Sequence, residues 1–370
     1  MAKRKILTGV IGTEKGGLSL FAVNVLKLLD PEQYEVTFLS RAEHPYFEDV
    51  IRRYGGKIAP IASRNRHPLK HRADLNRIMR EGNFDVCHIH LASASNIEPL
   101  IAAKKAGIPL VIAHSHCSGL NAGKLGQMLH RMNVPKIKQY SDLRLACSGL
   151  AGEFLYGGAD FQVVKNAIDL GRFAYSPEKR EQMRKKLGIE GKFVLGHVGR
   201  ISAEKNPYFL LETFAQIKQK EPESVLLYVG DGPLKQEIEE YAAKLGVRES
   251  VIFTGQTATP EDYLCAMDSF LLPSVYEGLG FVLIEAVCSG LTCFASDVIP
   301  NEARVCGRVE VFPLEGSKEQ LAARILERRE DPSRRKSWDS DLARLGYGAD
   351  SLKKRLEAIY SGRDTGKQED

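Results

Sequence analysis

Short apolar runs alternate with amphipathic stretches of helical period along almost the whole chain, and this rhythm limits the folds that the chain can adopt. Such an alternation predicts parallel strands joined by helices that cover both faces of each sheet. The runs that predict strands are 5–12, 34–40, 84–91, 109–115, 143–148, 162–166, 193–199, 224–230, 250–254, 269–273 and 292–296. We therefore expect an α/β protein with two doubly wound, Rossmann-like domains that face each other across a cleft.

A charged segment, 170–192, separates the two sets of strands and marks the domain junction. A chain of 370 residues is long enough for two domains of ordinary size. We predict one domain over 1–170 and a second over 171–348. The remaining segment, 349–370, is expected to form a helix that can pack back on the first domain, followed by a polar, disordered tail.

Composition and charge exclude several classes of protein. Hydrophobic residues make up 43% of the chain and charged residues 27%, which is typical of a folded globular protein. The seven cysteines include no CxxC pair, which indicates a reducing compartment, so we expect a cytoplasmic protein. Residues 1–160 carry 22 Lys and Arg against 14 Asp and Glu, which predicts an anionic partner. One hypothesis is peripheral contact with anionic lipid at the inner face of the plasma membrane; without an aromatic platform, we expect no nucleic acid.

The strongest candidate site lies in SVYEGLGFVLIEAVCSG, where a strand ends and a helix begins near Gly280. Glu277 precedes the helix and Glu285 lies in its second turn, so both carboxylates can face a ligand at the helix N-terminus. A carboxylate can accept two hydroxyl hydrogen bonds, as a ribose or hexose requires, and Gly278 and Gly280 let backbone N–H groups approach a phosphate. The alternative is that two glutamates near a helix start serve only the helix dipole.

A second candidate follows the strand FVLGHVGR. Arg200 ends this strand and Lys205 follows it, and Asn206 and Pro207 are expected to be the N-cap and first residue of the next helix. A guanidinium and an ammonium at one sheet edge can together neutralise a diphosphate. Taken alone, such a pair is more typical of a solvated loop.

Two weaker candidates lie in the first half. Gly16 and Gly17 follow the first strand and allow close approach to a phosphate or sugar, although they form neither a Rossmann nor a P-loop motif. His114 and His116 end the apolar run PLVIAHSH and share one face of the predicted strand. Either histidine could orient a sugar hydroxyl.

The segment SRNRHPLKHR, 63–72, places Arg64, Arg66 and Lys70 in a predicted loop. A solvated loop and a site for a phosphorylated or lipid-linked acceptor are both open interpretations.

Metal ligation is not expected. His88 and His90 alternate along a predicted strand, as buried histidines with protein partners do. Asp339 and Asp341 form a DxD, but they lie in a helical stretch and not at a strand edge.

Taken together, these residues resemble the GT-B-fold glycosyltransferases of family 4, the retaining nucleotide-sugar enzymes of bacterial exopolysaccharide and capsule assembly. The similarity covers nearly the whole chain and is most specific over 194–302. There GHVGRISAEKN, YVGDGPLK, VIFTG, PSVYEGLGFVLIEA and ASDVIPNEA stand in the order and spacing of the family.

The resemblance implies a role for each candidate. Arg200 and Lys205 would bind the donor diphosphate, Glu277 the transferred sugar and Glu285 the ribose. The catalytic set would be Arg200, Lys205, Glu277 and one histidine, for which His116 is preferred over His114. Further donor-binding residues would be Gly16, Gly17, Gly255, Gly278, Leu279, Gly280 and Phe281. Leu279 replaces a frequent phenylalanine of the family, which leaves the donor sugar open.

The implied reaction is the retaining transfer of a hexose or N-acetylhexosamine from a nucleotide-sugar. We expect UDP as the nucleotide, and a saccharide or polyprenyl-diphosphate-linked glycan as acceptor. The acceptor is expected to bind on the side of the first domain that carries His114, Arg64, Arg66 and Lys70. We expect no cofactor and no metal. The alternatives are a UDP-sugar epimerase on the same architecture and a sugar-binding relative that has lost catalysis.

Overall fold

The computed structural model describes residues 2–14, 16–120 and 122–363. The predicted tail lies outside the described residues from position 364 onward. Two compact units are present: the described residues of Met1–Asn166 and Ala349–Asp370 form the first, and Ala167–Gly348 forms the second. None of the described helices is both long and apolar enough to span a bilayer.

The first unit is built on a parallel sheet with seven strands among its described residues, in the order β3-β2-β1-β4-β5-β6-β7. The strands are β1 (Arg4–Ile11), β2 (Tyr34–Ser40), β3 (Lys57–Pro60), β4 (Val86–Leu91), β5 (Leu110–Ser115), β6 (Leu143–Ala146) and β7 (Gln162–Val163). The helices are α1 (Gly17–Leu28), α2 (Glu48–Arg53), α3 (Pro68–Glu81), α4 (Glu98–Lys105), α5 (Lys124–Tyr140), α6 (Gly149–Tyr156) and the last helix of the chain, α15 (Ala349–Tyr360).

The second unit repeats this arrangement with a six-stranded parallel sheet in the order β10-β9-β8-β11-β12-β13. The strands are β8 (Val194–Val198), β9 (Val225–Val229), β10 (Val251–Phe253), β11 (Ser269–Leu272), β12 (Thr292–Ser296) and β13 (Val309–Phe312). The helices are α7 (Leu170–Phe173), α8 (Pro177–Leu187), α9 (Pro207–Lys220), α10 (Lys235–Lys244), α11 (Pro260–Ala266), α12 (Phe281–Cys288), α13 (Lys318–Glu327) and α14 (Asp339–Arg344). Both units therefore have the predicted Rossmann-like architecture, with a reversal of strand order at β1/β4 and at β8/β11.

The central strands are buried over most of their length because helices cover both faces of each sheet. Every residue of β9, with the sequence VLLYV, is buried. The core of the second unit packs Tyr228 of this strand against side chains of α9 and α13, such as Phe214 and Ile325.

Two edge strands were absent from the sequence prediction. β3, with the sequence KIAP, and β13, with the sequence VEVF, each have four residues and no continuous apolar run. Each forms by pairing with a longer neighbour, β2 or β12, so the sheet and not the local sequence determines its conformation.

The predicted loop over 63–72 was wrong in its second half. α3 begins at Pro68, so Lys70 lies on a helix. The first turn of this helix is mostly charged, so the helical spacing of apolar residues is not visible there. Most of the buried residues of the helix come later, at Leu75, Ile78 and Met79.

α15 belongs to the first unit although it follows the second in sequence. Its buried face consists of Leu352, Leu356, Ile359 and Tyr360. The helix contacts α1, and the hydroxyl of Tyr360 lies 2.8 Å from Nδ1 of His88 on β4. The core of the first unit is therefore completed only when the end of the chain is in place.

We expect Leu356→Ala to lower the free energy of unfolding of the first unit by about 2–5 kcal/mol, because Leu356 is fully buried. Urea unfolding monitored by circular dichroism measures the change. The control is Lys354→Ala on the exposed side of the same helix, with an expected change within about 0.5 kcal/mol. Equal midpoints for Leu356→Ala and the wild type would show that α15 is not part of the cooperative unit.

Candidate functional site

The strand order of the second unit brings two of the predicted motifs to one place. The order reverses between β8 and β11, and ligands of doubly wound sheets bind at the carboxyl ends of the strands beside such a reversal. The loop after β8, 199–206, carries Arg200 and Lys205, and the loop after β11, 273–280, carries Glu277. These are the two strongest candidates from the sequence.

The two loops are joined by an ion pair. Nζ of Lys205 donates a hydrogen bond to Oε1 of Glu277, and Oγ of Ser274 donates to the same oxygen over 2.8 Å. The side chains of Lys205 and Glu277 are 18% and 12% exposed, so the pair is largely screened from water. A backbone hydrogen bond of 2.8 Å from Val275 to the carbonyl of Glu204 also joins the loops.

Ser274 was not predicted as a site residue. The signal in the sequence was a hydroxyl directly after the apolar run FLLP, at the end of β11. Oγ of Ser296, on the neighbouring strand β12, donates over 2.6 Å to the carbonyl of Ser274, so both serines are fixed in the sheet edge.

The N-terminus of α12 lies beside this ion pair. No side chain caps the helix, and its first turn contains no acidic residue, so the positive end of the helix dipole is not neutralised by the helix itself. Gly280 adopts φ +82°, a left-handed conformation that strains other residues. Leu279 is buried, and Glu285 is half-buried in the second turn. A helix end of this kind can hold a phosphate.

The loop that carries Arg200 is supported by the glycine turn after β9. A β-carbon on Gly230 would lie 1.9 Å from the carbonyl oxygen of Gly199, and one on Gly232 would lie 2.3 Å from that of Ile201. Only glycine allows this close approach. The turn therefore positions the backbone of the loop, whereas Arg200 itself is exposed.

Asn206 does not act as the predicted N-cap. Pro207 begins α9 as expected, but the side chain of Asn206 makes no capping hydrogen bond, and its backbone has φ +52°. The tight helical turn Ala203–Lys205 brings the chain into this conformation, which asparagine tolerates better than most residues. At the same sheet edge, Gly255 has φ +72° and pairs with Gly230 in a single bridge.

In the first unit, the N-terminus of α1 is open. Gly16 precedes the helix and Gly17 begins it, with no capping side chain and no acidic residue in the first turn. A β-carbon on either glycine would meet nothing within 4 Å, so neighbouring protein atoms do not require glycine here. Gly16 and Gly17 are both exposed, so the start of α1 faces solvent.

Four histidines, His88, His90, His114 and His116, form a cluster on one face of the first sheet, which we call the histidine quartet. Nε2 of His88 lies 3.1 Å from Nδ1 of His114, and Nδ1 of His90 lies 3.0 Å from Nε2 of His116. The ring of Phe21 on α1 contacts His90, His114 and His116 at centroid distances of 4.9–5.4 Å. His114 and His116 therefore share one face, as predicted from their spacing.

Burial keeps the quartet neutral. Burial lowers the pKa of His88 and of His116 to about 3, and it also lowers the pKa values of His90 and His114. For His88, His90 and His114, neighbouring histidines lower the pKa further by a smaller amount. Ligand nitrogens of His88, His90 and His114 lie within 4.8 Å of one another. Within this trio His88 and His114 are hydrogen-bonded to each other, whereas Nε2 of His114 is buried without a hydrogen-bond partner among the described residues.

The basic residues of 63–72 differ in their accessibility. Nη1 of Arg64 donates over 3.0 Å to the carbonyl of Ser95, and its Nε lies 3.8 Å from Oε1 of Glu98. Arg66 and Lys70 are exposed. The charge of Arg64 is therefore partly neutralised within the protein, whereas those of Arg66 and Lys70 face solvent.

We expect the first unit to lose stability as the pH falls from about 6.5 toward 3. The pKa of each quartet histidine is lower in the folded protein than in the unfolded chain, so in this range the unfolded chain binds more protons. The free energy of unfolding therefore rises with pH, and the contribution of the quartet reaches its full value above about pH 6.5. Urea unfolding at a series of pH values measures the slope.

Replacing one quartet member isolates its contribution to this slope. His88→Asn should lower the slope by up to about 1.4 kcal/mol per pH unit, which corresponds to one proton. The matched control is His67→Asn, which removes an exposed imidazole from the same unit. An unchanged slope in His88→Asn would contradict the assignment of a neutral, buried imidazole at this position.

Two protein-family models match the chain. The model described as "Glycosyl transferases group 1" matches residues 179–342, and the model described as "Glycosyltransferase Family 4" matches residues 15–172. Together they span most of the two units described above.

The chain is also similar to individual proteins. It is 30% identical over 315 residues to the "Putative glycosyltransferase EpsF" of Bacillus subtilis, with 81% of each chain covered. It is 26% identical over 322 residues, again with 81% of each covered, to the Escherichia coli UDP-Gal:alpha-D-GlcNAc-diphosphoundecaprenol alpha-1,3-galactosyltransferase. Among solved structures, Anabaena HepE in complex with UDP is 20% identical, with a TM-score of 0.81 over 98% of this chain and 100% of HepE. The last similarity concerns the fold.

Proposed function

Because this chain belongs to the group 1 glycosyltransferases, with the GT-B fold, we propose that it transfers a hexose or N-acetylhexosamine from a UDP-sugar, with retention of configuration, to a saccharide or lipid-linked acceptor. The acceptor would be a growing cell-surface polysaccharide or glycolipid. The E. coli relative is named for a UDP-Gal donor and a diphosphoundecaprenol-linked acceptor, and HepE has been solved with UDP and with UDP-glucose, which supports a donor and an acceptor of these classes.

The observation that carries the proposal is the contact between Lys205 and Glu277 beside the N-terminus of α12. A diphosphate needs positive charge and hydrogen-bond donors, and this edge offers an ammonium, the exposed guanidinium of Arg200 and an uncapped helix end. A sugar needs hydrogen-bond acceptors, which Glu277 and Glu285 supply. Both kinds of group lie on the segments that follow β8 and β11, beside the reversal of strand order.

In the proposed reaction, the bond between the anomeric carbon and the UDP oxygen breaks, the acceptor oxygen forms a bond to that carbon, and negative charge develops on the diphosphate. Lys205 and Arg200 would stabilise this charge as it forms, with the α12 N–H groups close by. Lys205 is held by Glu277, whose carboxylate also accepts a hydrogen bond from Ser274, before the donor arrives, so little reorganisation is required. We propose that these cations make a metal ion unnecessary and that the departing phosphate accepts the proton of the acceptor hydroxyl.

We assign the acceptor to the first unit. His116 is the proposed catalytic histidine, because its neutral imidazole can donate to or accept from a sugar hydroxyl. Arg66 and Lys70 are exposed cations that can contact a phosphorylated acceptor, with His114 buried behind His116. A lipid-linked acceptor would bring the reaction to a membrane surface.

We expect UDP, in the presence of EDTA, to raise the melting temperature of the protein by several degrees, because a ligand that binds only the folded state stabilises it. Differential scanning fluorimetry with a panel of nucleoside diphosphates and nucleotide-sugars measures the shift. Arg200→Ala and Glu285→Ala should abolish it. Arg334→Ala and Glu249→Gln, at exposed positions of the second unit, are matched controls and should retain it.

A panel in which no nucleotide shifts the melting temperature, or in which another nucleotide does so in place of UDP, would contradict the proposed donor. A shift that appears only when a divalent cation replaces EDTA would contradict metal independence.

Glu277→Gln should slow turnover by about 10²–10³-fold, because it removes the carboxylate that holds Lys205 and the proposed sugar contact. The assay is UDP release from the UDP-sugar that gives the largest thermal shift. UDP alone should still stabilise this variant, which separates loss of catalysis from loss of folding. Glu249→Gln is the control. Wild-type turnover in Glu277→Gln would refute the role of Glu277.

A further inference from the structure

The outer face of α5 carries large apolar side chains in contact with solvent. Leu125 is 66% exposed, and Met128 and Met132 are each 52% exposed. These three positions are spaced by three and four residues, so they form one continuous stripe along the helix, which we call the α5 stripe. Apolar residues that lie singly on a surface need no explanation, but an aligned set on one helix face marks an interaction surface.

The orientation of α5 is fixed by its opposite face. Nδ1 of His130 accepts a 3.0 Å hydrogen bond from the backbone of Ala94, and Nδ2 of Asn133 donates over 2.9 Å to the carbonyl of the same residue. Ile137 is fully buried, and His130 stacks on Phe154 at a centroid distance of 4.5 Å. The α5 stripe therefore cannot turn inward without breaking these contacts.

The charged residues of α5 and of the segment before it all have one sign. Residues 99–141 contain no Asp or Glu and six Lys or Arg. Four of the six are on α5, and all four are exposed: Lys124, Arg131, Lys136 and Lys138. Three of them, Lys124, Arg131 and Lys138, are seven residues apart and run parallel to the stripe.

We propose that α5 docks the protein on an anionic lipid surface, with Leu125, Met128 and Met132 inserted between head groups and the four cations contacting lipid phosphates. An exposed helix face with an apolar stripe flanked by Lys and Arg has the composition of interfacial helices. The apolar side chains bind the acyl boundary, and the cations are attracted by the negative surface potential.

A second copy of the chain fits this face less well. A symmetric contact through α5 would place the cations of one copy against those of the other, with no acidic residue on either helix to compensate. An anionic membrane supplies the opposite charge along the whole face.

This inference rests on the proposed function in one respect: docking would hold the enzyme at the membrane where a lipid-linked acceptor lies. Docking itself needs neither donor nor acceptor. A protein that floats with vesicles but gives no thermal shift with any nucleotide would overturn the proposed function and leave the docking surface intact. The reverse result would overturn the docking surface alone.

The test is flotation of the full chain with vesicles of phosphatidylcholine and phosphatidylglycerol at low salt, compared with phosphatidylcholine alone. We expect wild-type protein to float with the anionic vesicles. A triple variant Leu125→Gln, Met128→Gln and Met132→Gln, and a second one, Lys124→Gln, Arg131→Gln and Lys138→Gln, should each reduce the bound fraction at least about tenfold.

Matched controls are Leu345→Gln, at a partly exposed position of the second unit, and the triple variant Lys185→Gln, Lys186→Gln and Lys244→Gln, which removes the same charge there. Both should float like the wild type, and all variants should keep the wild-type thermal shift with UDP. Failure of the wild type to bind, or wild-type binding by both α5 variants, overturns the proposal. Loss of a dimer in the apolar variant, measured by sedimentation without vesicles, would assign the face to a second copy and overturn it as well.

Discussion

The reversal of strand order between β8 and β11 is the constraint on which the site of the second unit depends. Parallel strands leave their free carboxyl ends at one edge of the sheet, and the loops that follow β8 and β11 run away from each other there. Lys205 and Glu277 meet across this gap because each stands on one of these two loops. The buried edge around them, with Ser274 and Ser296 hydrogen-bonded into it, limits the freedom of both side chains.

Glycines contribute to this site in two distinct ways. Gly230 is required by close backbone approach, because a side chain there would overlap the carbonyl of Gly199. Gly280 is required by its left-handed backbone at the start of α12, where space for a β-carbon is available. Gly230 therefore allows close approach of two loops, whereas Gly280 allows a backbone conformation that strains other residues.

The first unit accommodates buried histidines because their side chains are hydrogen-bonded to one another and uncharged. Four imidazoles on one sheet face are tolerated because each is hydrogen-bonded to another and none carries a proton charge at neutral pH. Tyr360, from the far end of the chain, closes this arrangement by contacting His88. The two outer features of the unit, the open N-terminus of α1 and the exposed α5 stripe, are by contrast directed at solvent.

The sequence by itself determined the fold class and predicted the two loops that meet at the candidate site. The spacing of the apolar runs predicts which helices and strands form. The types of side chain in two short motifs predict a site for a charged sugar donor, and these motifs contain Arg200, Lys205, Glu277 and Glu285. Both predictions are possible because spacing and motif are local properties of the chain. Tertiary structure decided what local patterns cannot hold: the edge strands β3 and β13, the contact between Lys205 and Glu277, and the pairing of Tyr360 with His88 across 272 positions. These features form only when distant segments exclude water together, so their energies depend on partners that no window of the sequence contains.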